Sequence, residues 1–381
     1  MQRTLPKRIQ KRQIQKQIRA VIISDPVASA RSVGLRYVSD DSLGIQRKRT
    51  GKEFTYLGLD GKPIRDRQEI QRINALAIPP AYKDVWICPY PNGHLQATGR
   101  DAKGRKQYRY HPLWRSVRDQ TKFTRMIVFS QVLPNIRQRL AQDLALSGLP
   151  KQKVLATVVQ LMELTRIRVG NEEYARSNHS YGLTTLQDEH VDISGAKIHF
   201  QFRGKSGVEH DISLSDRRLA KIVKQCQDLP GQDLFQYLNE EGEVQAIGSS
   251  DVNEYLREIS GEDFTAKDFR TWAGTVLAAS QLVELEMFTS ETAAKKNITQ
   301  AVKTVATHLG NRPATCRKYY IHPAILKAYT EATLHPVMEQ HLSLVIDDPY
   351  ALRPAELAVV SILEQQLVQE IETNLMEQIA S

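Results

Sequence analysis

Three basic residues and one tyrosine stand in short segments whose residue types suit chemistry at a phosphate group. Arg168 occurs in RIRVGNEEY, Lys205 in FRGKSG, Arg270 in KDFRTW and Tyr320 in GNRPATCRKYYIHP. Guanidinium groups stabilise a crowded, doubly negative phosphorus through bidentate, charge-assisted hydrogen bonds. A tyrosine can attack such a phosphorus as a nucleophile. These residue types suit chemistry at a phosphate group, although by themselves they do not identify a reaction.

The sequence lacks the motifs of metal-dependent and nucleotide-dependent enzymes. It contains no HExxH, no acidic metal cluster of recognisable spacing and no Walker A loop. Gly204-Lys205-Ser206 imitates the end of a Walker A loop, but His199 stands where the first glycine would be. Cys88, Cys226 and Cys316 show neither CxxC spacing nor a histidine partner pattern. We therefore expect no metal, no cofactor and no disulfide.

Taken singly, each chemical candidate has a commoner structural role. We expect Arg168 and Arg270 to lie on helices, where an arginine is usually solvated or salt-bridged. A charge at a hairpin tip, such as Lys205, is usually solubilising, and a tyrosine such as Tyr320 often lies at the edge of a core. The functional interpretation depends on all four occurring together and in the order of a known family.

That family is the type IB DNA topoisomerases, which this sequence resembles in their compact bacterial and poxvirus-like form. The resemblance runs from about residue 30 to residue 335 and includes the run LAIPPAYKDVWICPYPNGHLQATGRDAKGRKQYRYHP, which is similar to the family's β domain. It implies that Tyr320 is the nucleophile, that Arg168 and Arg270 stabilise the pentacoordinate phosphorus, and that Lys205 is the general acid for the departing 5′ oxygen. Many members have histidine where this chain has Asn311, which can donate a hydrogen bond but cannot transfer a proton.

The resemblance implies a DNA topoisomerase that relaxes supercoiled DNA through a 3′-phosphotyrosine intermediate, strand rotation and religation, without ATP or metal. Its partner would be double-stranded DNA. A tyrosine recombinase is the alternative enzyme, although its site typically carries further histidines, and the β domain and Gly310-Asn311 argue against it. A DNA-binding protein without catalytic activity is the alternative outside enzymes.

The charge distribution agrees with a nucleic-acid partner. Lys and Arg outnumber Asp and Glu by 52 to 43, and the isoelectric point is about 9.3. The first 20 residues carry seven Lys or Arg and no acid, so residues 1–29 are predicted to be a basic arm that contacts phosphates. An organellar transit peptide is the alternative for this arm.

A basic loop in the N-terminal part predicts a second DNA contact. It runs from Gly99 to Gln107 and is followed by two tyrosines. Such contacts to phosphates set position rather than sequence. The residues expected to bind DNA are Arg100, Lys103, Arg105, Lys106, Gln107 and Tyr108 in this loop, together with Lys267 beside Arg270.

The elements that must position these residues divide into β structure and helices. Turn signals at Asp60-Gly61 and Asn92-Gly93 separate short runs typical of strands, which predicts a β-rich DNA-binding domain over residues 30–118. Helical periodicity after Phe123 predicts a mainly helical catalytic domain over residues 119–345. Residues 346–381 form a predicted C-terminal helical extension that either packs on the catalytic domain or binds a partner.

Within the helical part, the sequence predicts one β-hairpin and one sharp helix end. Ile198, Phe200 and Phe202 alternate with polar residues, so Gly204–Gly207 becomes a hairpin tip. A later helix stops at Gly310. The expected fold class is α+β, with the two domains forming a clamp on DNA. We expect a monomer with no membrane segment, located in the cytoplasm near the nucleoid.

Overall fold

The computed structural model describes residues 27, 30–31, 33–50, 53–102 and 106–380 of the chain. The predicted basic arm, residues 1–29, lies almost entirely outside the described residues, and so do Lys103 and Arg105. The chain divides into two compact units, Met1–Arg125 and Met126–Ser381. The domain limits expected from the sequence stay a prediction.

The first unit is built on antiparallel strands. They are β1 (Ile45–Thr50), β2 (Glu53–Leu57), β3 (Lys83–Ile87), β4 (Leu95–Arg100) and β5 (Lys106–Tyr110). They form one five-stranded sheet in the order β2-β1-β3-β4-β5. Strand β3 pairs with both β1 and β4, and a register shift lies between Lys83 and Trp86 in its pairing with β4.

A short helix covers the core of this sheet. Helix α1 (Arg67–Ala75) begins at Asp66, whose carboxylate accepts a hydrogen bond from the backbone N–H of Gln68. The helix buries Ile73 against a cluster that includes Ile87. Burial of these branched side chains is the main stabilising contribution that a sheet of this size can gain.

The second unit is mainly helical. Its helices are α2 (Pro112–Asp143), which begins in the first unit, α3 (Lys151–Thr165), α4 (Glu172–Asn178), α5 (Arg217–Gln227), α6 (Ser249–Ser260), α7 (Ala266–Glu284), α8 (Glu291–His308), α9 (Pro313–Tyr319), α10 (Pro323–Thr330), α11 (Leu334–Leu342) and α12 (Pro354–Ala380). The α+β fold class predicted from the sequence is confirmed.

The start of α2 and the burial of α3 differ from what periodicity alone predicts. Helix α2 begins at Pro112, before the change of pattern after Phe123, because proline suits the first turn of a helix. Helix α3 buries Val154, Val158 and Met162 as the periodicity predicts, but it is also buried on other faces. It is therefore a central helix of the unit rather than a surface helix.

A small sheet interrupts the helices and contains the predicted hairpin. Strands β6 (Val191–Ser194), β7 (Lys197–Arg203) and β8 (Glu209–Ser215) pair antiparallel in that order, while β9 (Gln236–Leu238) and β10 (Val244–Ala246) form a separate pair. In β7 the residues Ile198, Phe200 and Phe202 are buried and their neighbours are not. The tip between β7 and β8 contains Lys205, as predicted.

The C-terminal helix packs onto the rest of the second unit. Helix α12 contacts α7, α10 and α11. Near its start, the buried carboxylate of Glu356 accepts hydrogen bonds from Arg137 at 2.8 and 3.0 Å and from the indole of Trp272 at 3.0 Å. The first of the two roles considered for this extension, packing on the helical domain, is the one observed. In the part of the chain that the structure describes, none of the helices combines the length and apolar character needed to span a bilayer.

Candidate active site

Arg168 lies in a loop and not on a helix, so the expectation of a helical position was wrong. Helix α3 ends at Thr165, because Arg166 adopts a left-handed conformation with φ of 61°. The chain then runs extended, and the carbonyl of Arg168 accepts a hydrogen bond from the N–H of Leu183 at 2.8 Å. A left-handed arginine carries no sequence signal comparable to glycine, which is why the helix end was missed.

Arg270 lies on α7, as predicted, and its side chain is buried. The guanidinium donates one hydrogen bond to the carbonyl of Leu309 at 2.6 Å and another to the carbonyl of Arg166. These carbonyls come from the turn after α8 and from the end of α3, respectively. Arg270 therefore joins three separate segments of the chain.

The turn after α8 connects the two arginines. Gly310 has φ of +57°, a conformation that favours glycine, and it directs the chain away from the end of the helix. Arg168 donates from one Nη atom to the carbonyl of Gly310 at 3.0 Å and to the side-chain oxygen of Asn311 at 2.6 Å. The amide oxygen of Asn311 is thus occupied, which leaves its Nδ2 group as the available donor.

Tyr320 follows α9 and its ring lies beside Arg270. The Cζ atom of Arg270 is 5.4 Å from the centroid of the Tyr320 ring, within the range of a cation–π contact. The backbone of Tyr320 rests on α7, where its carbonyl accepts a hydrogen bond from the hydroxyl of Thr275 at 3.3 Å. A Cβ atom at Gly274 would lie only 2.6 Å from that carbonyl, so glycine is what allows this close approach.

Tyr319, the neighbouring tyrosine, has different surroundings. Its residue surface is 40% exposed, and the ammonium of Lys318 lies 5.3 Å from its ring centroid. Tyr320 is half-buried instead. The two phenols therefore occupy distinct environments, and only that of Tyr320 lies against the buried arginine.

In the part of the chain that the structure describes, the two arginines of the site have no carboxylate partner. Among the described residues, neither Arg168 nor Arg270 comes within 4.0 Å of a carboxylate. Burial, and after it the charge of Arg168, lowers the pKa of Arg270 to about 10. Burial also lowers the pKa of Arg168, and the phenol of Tyr320 acts in the opposite direction on both groups. The phenol is therefore electrostatically coupled to both guanidinium groups.

Arg137 is a buried arginine whose charge is compensated by carboxylates of the protein. Burial acts to lower the pKa of Arg137, but Glu163 and Glu356 outweigh it and raise the pKa. Both carboxylates lie 2.8 Å from the guanidinium. Leaving a buried charge without such compensation is expensive. The uncompensated pair at Arg168 and Arg270 is consequently a place for an external anion.

Two donors of the site also lack partners. The Nε–H of Arg270 and the Nδ2 group of Asn311 are buried and make no hydrogen bond within the described residues. Unsatisfied buried donors are rare because each one costs about 1–3 kcal/mol. A phosphate group has the acceptor oxygens that would satisfy them.

Lys205 lies apart from these four residues. It is exposed at the tip between β7 and β8, and its ammonium lies 6.0 Å from the ring centroid of Tyr174. The structure thus brings Arg168, Arg270, Asn311 and Tyr320 together and holds Lys205 on a separate hairpin. Ser206 and Gly207 both have positive φ values, 64° and 74°, which make the tip tight.

Three residues that contact the site were not identified from the sequence. They are Gly274 and Thr275 under Tyr320, and His210 on β8 beside Gly310. Gly274 and Thr275 follow Arg270 by about one helical turn, so a helical projection from Arg270 could have found them. For His210 the only available signal was its place near the predicted hairpin tip.

The predicted DNA-binding residues have mixed surroundings. Arg100 is exposed at the end of β4 and lies 3.8 Å from Asp84, and Gln107 donates to Asp101 at 3.0 Å. Tyr108 is 45% exposed and stacks on Tyr110 with a centroid distance of 5.9 Å. Lys106 begins β5, and Lys267 is exposed in the first turn of α7. Lys103 and Arg105 lie outside the described residues.

The described residues contain no group of side chains suited to bind a metal ion. Within the ranges that the structure covers, no three His, Cys, Asp or Glu side chains are grouped so that they could hold a metal ion. Cys88, Cys226 and Cys316 are buried free thiols. Burial raises the pKa of Cys316, which lies in the helix before Tyr320, to about 11, and Arg270 acts against this.

Comparison with protein families gives two matches along the chain. Residues 111–342 match the family described as eukaryotic DNA topoisomerase I, catalytic core. Residues 53–101 match the family described as bacterial DNA topoisomerase IB, N-terminal domain. The first match contains all of the candidate site residues of the second unit.

Individual proteins give the same result. The chain is 34% identical to a DNA topoisomerase 1B of Acanthamoeba polyphaga mimivirus over 293 residues, which covers 75% of this chain and 87% of the viral protein. It is 24% identical over 258 residues to the DNA topoisomerase 1B of Vaccinia virus (strain Copenhagen), covering 65% of this chain and 78% of that protein. A DNA topoisomerase 1 of Mycosarcoma maydis is 23% identical over 244 residues, covering 58% of this chain and 24% of that protein.

Proposed function

Because this chain belongs to the DNA topoisomerase IB family, we propose that it relaxes supercoiled DNA by cutting and rejoining one strand through a covalent bond to Tyr320. The enzyme is a DNA topoisomerase and therefore an isomerase. Its substrate is DNA, in our proposal double-stranded and supercoiled. The steps proposed below concern how its own residues carry out the reaction.

The observation that carries this proposal is a pair of arginines, Arg270 buried and Arg168 half-buried, that lie beside a tyrosine and have no carboxylate partner among the described residues. Two guanidinium groups held together by backbone carbonyls repel each other, and the pKa of Arg270 is lowered by burial first and by this repulsion second. A phosphodiester between them would supply the missing negative charge. Arg137, by contrast, forms salt bridges with the carboxylates of Glu163 and Glu356.

In the cleavage step, the Tyr320 oxygen forms a bond to the scissile phosphorus and the bond from phosphorus to the 5′ oxygen breaks. The phenol loses its proton to solvent, and the 5′ oxygen gains one from Lys205 in its role as general acid. The product is a 3′-phosphotyrosine and a free 5′ hydroxyl. Arg168 and Arg270 stabilise the extra negative charge on the phosphorus oxygens in the transition state.

Asn311 contributes a neutral hydrogen bond in this proposal. Its side-chain oxygen already accepts from Arg168, so its unpartnered Nδ2 group is oriented by that contact and can donate to a phosphate oxygen. Replacing a histidine by asparagine at this position keeps a donor but removes a titrating group. We therefore expect cleavage to lack a pH dependence arising from this residue.

Religation is the reverse of cleavage. The phosphotyrosine bond retains the free energy of the broken phosphodiester, so attack by the 5′ hydroxyl reseals the strand without ATP. While the bond persists, the free end rotates about the intact strand and releases torsional stress of either sign. Every charge assigned to the transition state comes from side chains of this chain, so the proposed reaction requires no metal.

Binding to DNA is proposed to involve both units and the arm. Arg100, Gln107 and Tyr108 would contact the backbone from the first unit, and Lys267 from the second, together with Lys103, Arg105 and Lys106 and residues 1–29. We propose that the protein acts as a monomer. A DNA substrate favours a location at the nucleoid in the cytoplasm.

Relaxation of plasmid DNA tests the proposal directly. We expect the protein to relax positively and negatively supercoiled plasmid in EDTA without ATP, and Tyr320→Phe to be inactive while still binding DNA. Strict dependence on magnesium or ATP would contradict the proposed chemistry. Relaxation by Tyr320→Phe would show that another residue is the nucleophile.

A further inference from the structure

The imidazole of His210 lies between the hairpin tip that carries Lys205 and the turn that holds Arg168. His210 is the second residue of β8 and pairs with Phe202 on β7. The two rings stack with a centroid distance of 4.8 Å and an angle of 14° between their planes. This stacking fixes the plane of the imidazole relative to the hairpin.

Two glycines provide the space that this ring occupies. A Cβ atom at Gly204 would lie 2.6 Å from Nε2 of His210, and one at Gly310 would lie 2.6 Å from its Cε1. Gly204 immediately precedes Lys205, and Gly310 immediately precedes Asn311. The imidazole is therefore packed against the backbone on both sides. It links the hairpin tip at Gly204 to the turn at Gly310, which accepts a hydrogen bond from Arg168.

The surroundings of the imidazole disfavour its charged form. Burial is the main cause that lowers the pKa of His210, and the charges of Arg168 and Arg270 lower it further. Neither ring nitrogen has a hydrogen-bond partner among the described residues. A neutral ring without polar partners contributes through its shape and its stacking.

Lys205 has few contacts of its own. Its side chain is exposed, the described residues include no ion pair to its ammonium, and its nearest aromatic neighbour is 6.0 Å away. By contrast, Arg168 and Arg270 are fixed by hydrogen bonds to two segments, the end of α3 at Arg166 and the turn at Leu309–Gly310. The location of the general acid relative to the arginines must therefore come from the hairpin and not from the lysine side chain.

We propose that His210 is a positioning residue that docks the Lys205 hairpin against the Gly310–Asn311 turn. This inference rests on the proposed function, because it assigns His210 a role through the general acid. A displacement of about 1 Å can lower a rate by about 10²-fold when proton donor and acceptor must be aligned. His210 itself does not touch the phosphate.

The test compares His210→Ala and Lys205→Ala on two DNA substrates. One has an ordinary phosphodiester at the cleavage site, and the other has a 5′-bridging sulfur, whose thiolate leaving group scarcely needs a proton. We expect His210→Ala to slow cleavage of the ordinary substrate by about 10- to 100-fold, which is less than loss of the acid itself, about 10²- to 10⁴-fold. On the sulfur substrate it should cleave at nearly the rate of the unsubstituted protein.

A double substitution adds a readout that a general loss of stability would not produce. If His210 acts through Lys205, then His210→Ala combined with Lys205→Ala should cleave no more slowly than Lys205→Ala alone. His199→Ala is the matched control, because His199 lies on the same sheet and its side chain makes an exposed hydrogen bond with Asp211 at 2.9 Å. We expect His199→Ala to cleave both substrates at the unsubstituted rate.

Three results would overturn the role of His210. They are an unchanged rate in His210→Ala, equal slowing on both substrates, and multiplicative slowing in the double variant. If His210→Ala fails to fold, His210→Phe retains a flat, uncharged ring and should keep the ordinary rate within a fewfold, whereas a slow folded His210→Phe would also overturn the proposal. Failure of the proposed function is recognised separately, by the absence of a covalent adduct in the unsubstituted protein or of sulfur rescue in Lys205→Ala.

Discussion

The guanidinium of Arg270 lies 5.4 Å from the ring centroid of Tyr320, and among the described residues no carboxylate lies near enough to pair with it. A cation is thus fixed beside the proposed nucleophile before DNA arrives. Preorganised charge of this kind requires no rearrangement during the reaction. The predictions below follow from this arrangement and from the contacts that maintain it.

Tyr320→Phe should abolish the covalent adduct without preventing DNA binding, because it removes only the phenolic oxygen. Tyr319→Phe is the matched control and should still form the adduct, since Tyr319 is exposed and its ring lies beside the ammonium of Lys318. The measurement is adduct formation on a suicide substrate in a denaturing gel. If Tyr320→Phe still forms the adduct and Tyr319→Phe does not, Tyr319 is the nucleophile and Tyr320 is not.

Arg168→Ala and Arg270→Ala should slow cleavage of both the ordinary and the 5′-bridging sulfur substrate, because charge on the phosphorus must be stabilised with either leaving group. We expect a loss of about 10²- to 10³-fold for each, as for removal of one oxyanion donor elsewhere. Single-turnover cleavage rates measure this. Rescue of either variant by sulfur would reassign that arginine to protonation of the leaving group.

Thr275→Val should both destabilise the protein and slow cleavage. The buried hydroxyl of Thr275 donates to the carbonyl of Tyr320 and accepts from the N–H of His322 at 3.0 Å, so valine removes one hydrogen bond from each of two backbone groups. We expect a loss of about 1–3 kcal/mol in the free energy of unfolding. Thr275→Ser keeps the hydroxyl and is the control. Equal cleavage rates for valine and serine would mean that this contact does not position Tyr320.

Deleting residues 1–29 should reduce the dependence of DNA affinity on salt. Each lysine or arginine that neutralises a phosphate releases counterions and steepens the fall of log affinity with log salt. Binding measured over a series of salt concentrations gives the slope for the full and shortened proteins. The same slope for both would favour the targeting interpretation of the arm.

Arg137→Ala should lower the free energy of unfolding by about 3–5 kcal/mol at neutral pH, because it removes the cation paired with buried Glu356 and leaves buried Glu163 with only Arg353, at 3.8 Å. Arg137, among other contacts, holds the pKa of Glu356 below its ordinary 4.5 against the opposing effect of burial. The stability that this gives the unsubstituted protein is present above that pH and is lost as the pH falls through the lowered value.

The difference in free energy of unfolding between the unsubstituted protein and Arg137→Ala should therefore decrease in acid. Urea unfolding at several pH values would measure it. Lys295→Ala, which removes an exposed pair with Glu291, is the control and should change stability little. A constant difference at all pH values would contradict the electrostatic explanation.

The sequence predicted the elements that depend on local patterns. The alternation around Phe200, the strands near Trp86 and the helix end at Gly310 each follow from periodicity or turn residues, and the structure confirms them. The position of Arg168 was wrong, since the end of α3 depends on a left-handed arginine that tertiary contacts hold in place.

The assignment of catalytic residues came from the resemblance and stays a prediction. What no local pattern could provide is the set of contacts between distant segments. Arg270 bonds to carbonyls of Arg166 and Leu309, and the approach of His210 to Gly310 depends on how β8 packs against the turn. Such contacts arise from packing of whole elements, and a single sequence contains no periodic signal for them.

The hydrogen bond between Trp272 and Glu356 joins a helix of the candidate site to a residue that is synthesised later. Trp272 lies two residues after Arg270 on α7, while Glu356 follows every residue of the candidate site in the chain. A ribosome therefore completes Arg168, Arg270 and Tyr320 before it makes the carboxylate that anchors their supporting helix. The nascent polypeptide therefore carries Arg168, Arg270 and Tyr320 while α7 still lacks its hydrogen bond to Glu356, and this support for α7 is added only when α12 is translated.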